Sequence, residues 1–68
     1  MSQKLVYELL KALGGKAKTG EISKLAKKRY PERSLHNYVS DRLHRLMKWG
    51  IIGRNNDGEW FIIEEYPS

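Results

Sequence analysis

The apolar positions of this chain change their period near residue 50. Between residues 5 and 46 they recur in blocks at spacings of three and four, the spacing of helices that bury one side. Beyond Gly50 they fall into two short runs, "IIGR" and "EWFII", rich in residues that favour strands. The pattern predicts a helical body followed by a β-hairpin.

A first helix is predicted from Ser2, its expected N-cap, to the pair Gly14-Gly15, which is typical of a helix stop. Its apolar stripe consists of Leu5, Val6, Leu9, Leu10 and Leu13. The next three residues, "KAK" at 16–18, are too few for a period to decide their structure. A brief strand is expected there if the hairpin offers it an edge.

A second helix is predicted to begin at Thr19 as N-cap and to stop before Pro31, because the residue preceding proline is pushed out of the helical region. Its buried stripe would consist of Ile22, Leu25 and Ala26. Its solvent side would carry Lys24, Lys27 and Lys28. This helix therefore presents a basic face.

A third helix is predicted over 34–49, with Ser34 as N-cap and Gly50 near its end. At 100° per residue one narrow arc collects Leu35, Val39, Leu43 and Leu46. The opposite side collects Asn37, Asp41, His44 and Lys48. The helix is therefore strongly amphipathic.

The two apolar runs after Gly50 are separated by "NNDG", in which Asp57-Gly58 favours a tight hairpin turn. In the second run, Trp60 and Ile62 share the face expected to close the core. Phe61 and Ile63 would then point outward.

The order helix, short strand, helix, helix, hairpin resembles the winged helix-turn-helix family. The runs "VSDRLHRLMKWGIIGR" and "GEWFI" are similar to that family's pattern of a capped helix, a glycine stop and a glycine-tipped wing. The resemblance covers nearly the whole chain. It implies one α+β domain over 1–68, with three helices and a C-terminal wing, that binds double-stranded DNA with its third helix in the major groove.

Charge is distributed unevenly along the 68 residues, whose net charge is +5. Residues 1–54 hold all 13 lysines and arginines against four acidic residues, which gives +9, and residues 55–68 carry −4. A basic body with an acidic tail favours a polyanionic partner for the first part. The distribution therefore agrees with nucleic-acid binding, although a solubilising charge excess would look the same.

Several classes of protein are disfavoured by what the sequence lacks. It has no cysteine, which excludes disulfides and thiolate zinc sites and makes the cytoplasm the expected compartment. No apolar run approaches the roughly 18 residues of a membrane span, and the first residues are too polar for a signal peptide. No cofactor and no small-molecule ligand is indicated.

The predicted DNA contacts divide by chemistry. The amide of Asn37 can pair with adenine in a bidentate manner, although the same residue could instead support the start of the helix. The predicted base contacts are Asn37, Ser40, His44 and His36. The predicted phosphate contacts are Lys18, Thr19, Arg33, Arg45, Lys48 and Arg54. Those at 18 and 19 would be helped by the free amides of a helix N-terminus.

Asp41 is unexpected on a face that approaches phosphates. It could accept a hydrogen bond from cytosine N4, or pair with Arg45 one turn later and hold that guanidinium toward a phosphate. The second interpretation is favoured because pairs at this spacing are common on helices.

The sequence disfavours both a hydrolase and a histidine metal site. Ser40, Asp41 and His44 would suggest a hydrolase only with an oxyanion hole and a pocket, for which so small a chain has little room. His36 and His44 are about 12 Å apart along a helix and cannot share a metal ion. The chain is therefore predicted to be neither an enzyme nor a metal protein.

Two partners other than DNA are consistent with the pattern. Phe61, Ile63 and the first helix offer an outward apolar surface that suggests a homodimer. A winged helix can also serve as a protein-interaction module within a replication, transcription or ribosomal assembly, since fold alone does not decide function. The cations around the third helix favour DNA.

Overall fold

A computed structural model describes residues 2–67 of the chain. The elements in chain order are α1 (Ser2–Ala12), β1 (Lys16–Lys18), α2 (Thr19–Arg29), a 3-10 segment (Ser34–Asn37), α3 (Val39–Lys48), β2 (Ile52–Arg54) and β3 (Glu59–Ile62). Three helices and a three-stranded sheet confirm the predicted α+β class, and the arrangement is compatible with a winged helix. The side chain of Ser2, the predicted N-cap of the first helix, lies outside the described part of the chain. No helix within residues 2–67 has the length and apolar character needed to span a bilayer.

The sheet is antiparallel in the order β1-β3-β2, so the predicted strand at 16–18 is confirmed as an edge strand on the hairpin. Ala17 and Arg54 both lie opposite Trp60, one on each side of β3. Directly paired residues share a face of a sheet, so these three face the helices. The hairpin therefore directs Arg54 toward the helical body.

The hairpin turn is one residue longer than the tight turn predicted at Asp57-Gly58. The Asn55 amide donates to the Glu59 carbonyl at 2.9 Å, and the Gly58 amide donates to the Asn55 carbonyl at 3.1 Å. Gly58 has φ +80°, the left-handed conformation that a three-residue loop of this kind requires. Asn55 fixes the loop further, because its side-chain oxygen accepts from the Asp57 and Glu59 amides.

One apolar core joins all the elements, as the stripes predict. The four apolar positions assigned to the third helix are all at most 5% exposed. Trp60, at 0%, is the largest fully buried side chain. Leu5, Leu13, Leu25 and Ile62 pack at the margin of this core. The period-based assignment of buried positions is confirmed in full for the third helix, while Leu5, Leu13 and Leu25 of the other two stripes are only partly buried.

The third helix is shorter than predicted, because residues 34–37 form the 3-10 segment and α3 begins only at Val39. The prediction of Ser34 as N-cap is wrong, since no side chain caps this segment. The Ser23 hydroxyl of α2 donates to the His36 carbonyl at 3.0 Å. In a continuous α-helix that carbonyl would accept from the residue 40 amide. The bond from α2 therefore competes with helix continuation.

The start of α2 also differs from the prediction. Thr19 is the first helical residue rather than the cap, and its hydroxyl oxygen accepts from Trp60 Nε1 at 2.8 Å. The Glu21 carboxylate accepts from the Lys18 amide at 3.0 Å and closes the helix start. Thr19 does not cap the helix, because its hydroxyl oxygen accepts the hydrogen bond that the buried indole N–H needs.

Candidate nucleic-acid interface

Three of the predicted contact residues meet around Trp60, although they come from three different elements. Thr19 accepts from the indole nitrogen, as described above. The Arg54 guanidinium carbon lies 4.7 Å from the centre of the indole ring. The His44 ring meets the indole edge-on, with centroids 5.2 Å apart and planes at 81°. We call Thr19, His44 and Arg54 around Trp60 the Trp60 junction.

The junction fixes the orientation of the His44 imidazole and of the Arg54 guanidinium. The Nδ1 atom of His44 lies 2.7 Å from the Ser40 carbonyl oxygen, which can only accept, so Nδ1 carries the proton. Nε2 is then the ring nitrogen left for a partner. The indole face holds the Arg54 guanidinium electrostatically, a contact worth about 0.5–1 kcal/mol at an exposed site. The junction therefore brings one imidazole and one guanidinium against the same indole.

The exposed face of α3 carries the remaining polar residues assigned to that helix. Ser40, Arg45 and Lys48 are all exposed. Asp41 Oδ2 lies 3.4 Å from Arg45 Nε, so the predicted pair one turn apart is confirmed. An exposed pair of this kind adds little stability, about 0.3–0.5 kcal/mol. Its main effect is to orient the guanidinium.

Arg42 is a second partner of Asp41 that the sequence analysis missed. Its guanidinium carbon also lies 5.6 Å from the centre of the Tyr38 ring. Adjacent residues on a helix do not normally face each other, so the spacing gave no signal for this ion pair. The Asp41 carboxylate on the exposed face of α3 is therefore compensated by two guanidiniums.

The 3-10 segment changes the position of two predicted base contacts. Asn37 is exposed and is the last residue of that segment, outside α3, whose start is capped by no side-chain hydrogen bond. His36 is half-buried, and its Nδ1 is enclosed without a hydrogen-bond partner among the described residues. This nitrogen cannot reach a base edge because it is enclosed, and the base contact predicted for His36 as a residue stays a prediction.

The start of α2 is less open to phosphate than predicted. Lys18 is exposed, but its backbone amide is bound by the Glu21 carboxylate. The Thr19 hydroxyl oxygen is engaged by the indole. The Lys18 ammonium remains suited to a phosphate, and the Thr19 hydroxyl, which only accepts from the indole, still has its own proton to donate.

Arg33 lies apart from the Trp60 junction. Its guanidinium carbon is 5.6 Å from the centre of the Tyr30 ring. With Leu5, Leu35, Tyr38 and Arg42 it lines a groove between α1 and the 3-10 segment, which we call the α1 groove. Positions 42 and 44 are about 200° apart around a helix. The α1 groove and the Trp60 junction therefore lie on opposite flanks of α3.

Comparison of the chain with family models, with curated proteins and with solved structures found no match.

Proposed function

We propose that this protein is a winged-helix domain that binds double-stranded DNA with the exposed face of α3 in the major groove. A groove about 12 Å wide admits one helix, and such a helix needs an apolar side toward its own core and a polar side toward the bases. Val39, Leu43 and Leu46 supply the first, and Ser40, Arg45 and Lys48 supply the second. The charge of +9 on residues 1–54 agrees with a polyanionic partner.

The observation that carries the proposal is the meeting of His44 and Arg54 at the Trp60 junction. It sets a cation of the hairpin beside the polar side of α3, so one duplex lying on that helix would touch both. Arg54 then contacts a phosphate next to the groove rather than reaching out along the wing. Arg45 and Lys48 bind the backbone, while Ser40, Asn37 and the Nε2 atom of His44 face base edges.

The proposed role is that of a small transcriptional regulator in the cytoplasm, with a second copy of the chain as partner on the DNA. One winged helix reads only a few base pairs, and pairing lengthens the site. The outer face of the hairpin suits a homodimer, because Ile63 is 55% exposed and the half-buried Phe61 ring lies against Gly53.

One observation favours the alternative, a protein-interaction module. Tyr38, Trp49 and Ile63 are each more than half exposed, and aromatic residues are enriched at protein interfaces. Such a module would not need the cations on the exposed face of α3. The two functions differ in how binding responds to salt.

The test is a fluorescence-anisotropy titration of a mixed-sequence duplex at several salt concentrations. Each cation that neutralises a phosphate should contribute about −0.9 to the log–log slope of affinity against salt. Arg45→Ala should flatten that slope by about one unit. Lys28→Ala is the matched control, since it removes the same charge from the solvent side of α2. Duplex binding that is undetectable at low salt, or insensitive to salt, would transfer the assignment to the protein-interaction module. Equal effects of both variants would show that the duplex does not lie on the exposed face of α3.

A further inference from the structure

The α1 groove is a second concave surface that the DNA proposal does not use. Its volume is about 650 Å³. Sites for small ligands fall between about 300 and 1,000 Å³ and are mainly apolar with a few polar groups. Leu5 and Leu35 line it with aliphatic carbon, and the Tyr38 ring, 51% exposed, stands beside them. The groove therefore has the size and lining for a ligand with an apolar body.

The charges around the groove favour an anion. Lys4, Arg33 and Arg42 line it against a single acid, Glu8. Arg42 is engaged by Asp41. Within residues 2–67 no carboxylate lies within ion-pair distance of Lys4 or Arg33. Two of these cations, Lys4 and Arg33, thus have no carboxylate partner among the described residues. An apolar surface edged by them is complementary to a molecule that combines an apolar body with one negative group.

We propose that the α1 groove binds a small amphipathic carboxylate. The apolar body packs against Leu5, Leu35 and the Tyr38 ring. The carboxylate pairs with the Arg33 guanidinium, whose planar fork matches the two oxygens of a carboxylate. This assignment replaces the phosphate contact predicted for Arg33. It does not rest on DNA binding, because the groove and the Trp60 junction lie on opposite flanks of α3.

The experiment titrates the full chain with 4-phenylbutyrate and follows backbone amide chemical shifts. Two further probes separate the contributions: 4-phenylbutan-1-ol has the apolar body without the charge, and butyrate has the charge with little apolar body. We expect saturable shifts confined to amides around Leu5, Glu8 and Leu35. Phenylbutyrate should bind about tenfold more tightly than either the alcohol or butyrate. A tenfold gain in affinity corresponds to about one hydrogen bond to a charged group.

Two variants identify the anion partner. Arg33→Ala should reduce the affinity for phenylbutyrate about tenfold, to that of the alcohol, while leaving the alcohol's own affinity unchanged. Arg29→Ala removes the same charge from the exposed end of α2, outside the groove lining, and should change neither affinity. Unchanged amide spectra of both free variants would show that the fold is retained.

Four results would overturn the proposal. The first is equal binding of phenylbutyrate and the alcohol, and the second is shifts that map to the Trp60 junction. A short acidic peptide containing phenylalanine that binds about tenfold more tightly than phenylbutyrate would assign the groove to a protein partner. Shifts of the same amides with protein concentration alone would assign it to a second copy of the chain.

Discussion

The two flanks of α3 differ in how completely their polar groups are engaged. At the Trp60 junction a buried indole is held on its nitrogen by Thr19, on its ring face by Arg54 and by a perpendicular ring contact with His44. On the other flank the α1 groove leaves Tyr38 half exposed and Arg33 without a carboxylate among the described residues. The hairpin closes one flank because β3 carries the largest core side chain. The other flank stays open because the 3-10 segment leaves a gap beside α1.

The largest difference between the flanks should appear in stability. Trp60→Ala removes a side chain with 0% exposure, and we expect it to lower the free energy of unfolding by about 3–5 kcal/mol, as aromatic-to-alanine changes in cores do. Tyr38→Ala, on the α1 groove, should cost less than about 1 kcal/mol because half of that ring is already in water. Urea unfolding followed by circular dichroism measures both. Equal costs would contradict the contrast between a closed and an open flank.

A single hydrogen bond of the junction should have the next largest effect. Thr19→Val keeps the shape of the side chain but removes the acceptor of Trp60 Nε1, which leaves a buried N–H without a partner. We expect a loss of about 1–3 kcal/mol in unfolding free energy. Thr19→Ser keeps a hydroxyl and should recover most of that stability.

Ser34→Ala provides the comparison on the other flank. Sequence reasoning makes Ser34 a helix cap, which would be worth about 1 kcal/mol. In the structure it makes no capping bond, so we expect a change within about 0.5 kcal/mol. A loss comparable to that of Thr19→Val would restore Ser34 as a cap and contradict the shortened helix.

The bond that interrupts the third helix can be tested directly. Ser23→Ala removes the donor to the His36 carbonyl and should cost about 0.5–1.5 kcal/mol, the net worth of one hydrogen bond. The freed carbonyl could then accept from the residue 40 amide. We expect slower hydrogen exchange at that amide in the variant, while Ser40→Ala in the native background should leave the 3-10 segment unchanged. Unaltered exchange would mean that another contact interrupts the helix.

These residues indicate how far the sequence could predict the molecule. Periodicity identified Leu35, Val39, Leu43 and Leu46 as buried because burial follows a repeating pattern, and it found the Asp41–Arg45 pair because that spacing is local. It misplaced the cap at Thr19, because a hydroxyl that caps and one that binds a distant partner look identical in sequence. It misplaced the cap at Ser34, because the bond from Ser23 that competes with the helix there is not local. The acceptor of Trp60 lies 41 positions away and that of Ser23 lies 13 positions away. The α1 groove was not predicted for the same reason: it is formed by packing between elements.

The smallest expected effect is a change in the salt dependence of duplex affinity, which should occur for a variant at the Trp60 junction and not for one at the α1 groove. If the Trp60 junction meets the DNA backbone and the α1 groove does not, Arg54→Ala should flatten the log–log dependence of duplex affinity on salt by about one unit. Arg33→Ala, which removes the same charge from the groove side, should leave the slope unchanged. Arg54→Lys keeps the charge and should keep the slope, which separates the loss of a phosphate contact from the loss of the guanidinium's packing on Trp60. Thermal unfolding of each variant would establish that it is folded at the assay temperature. A slope that responds to Arg33→Ala rather than to Arg54→Ala would move the DNA to the groove side of α3 and reverse the assignment of the two flanks.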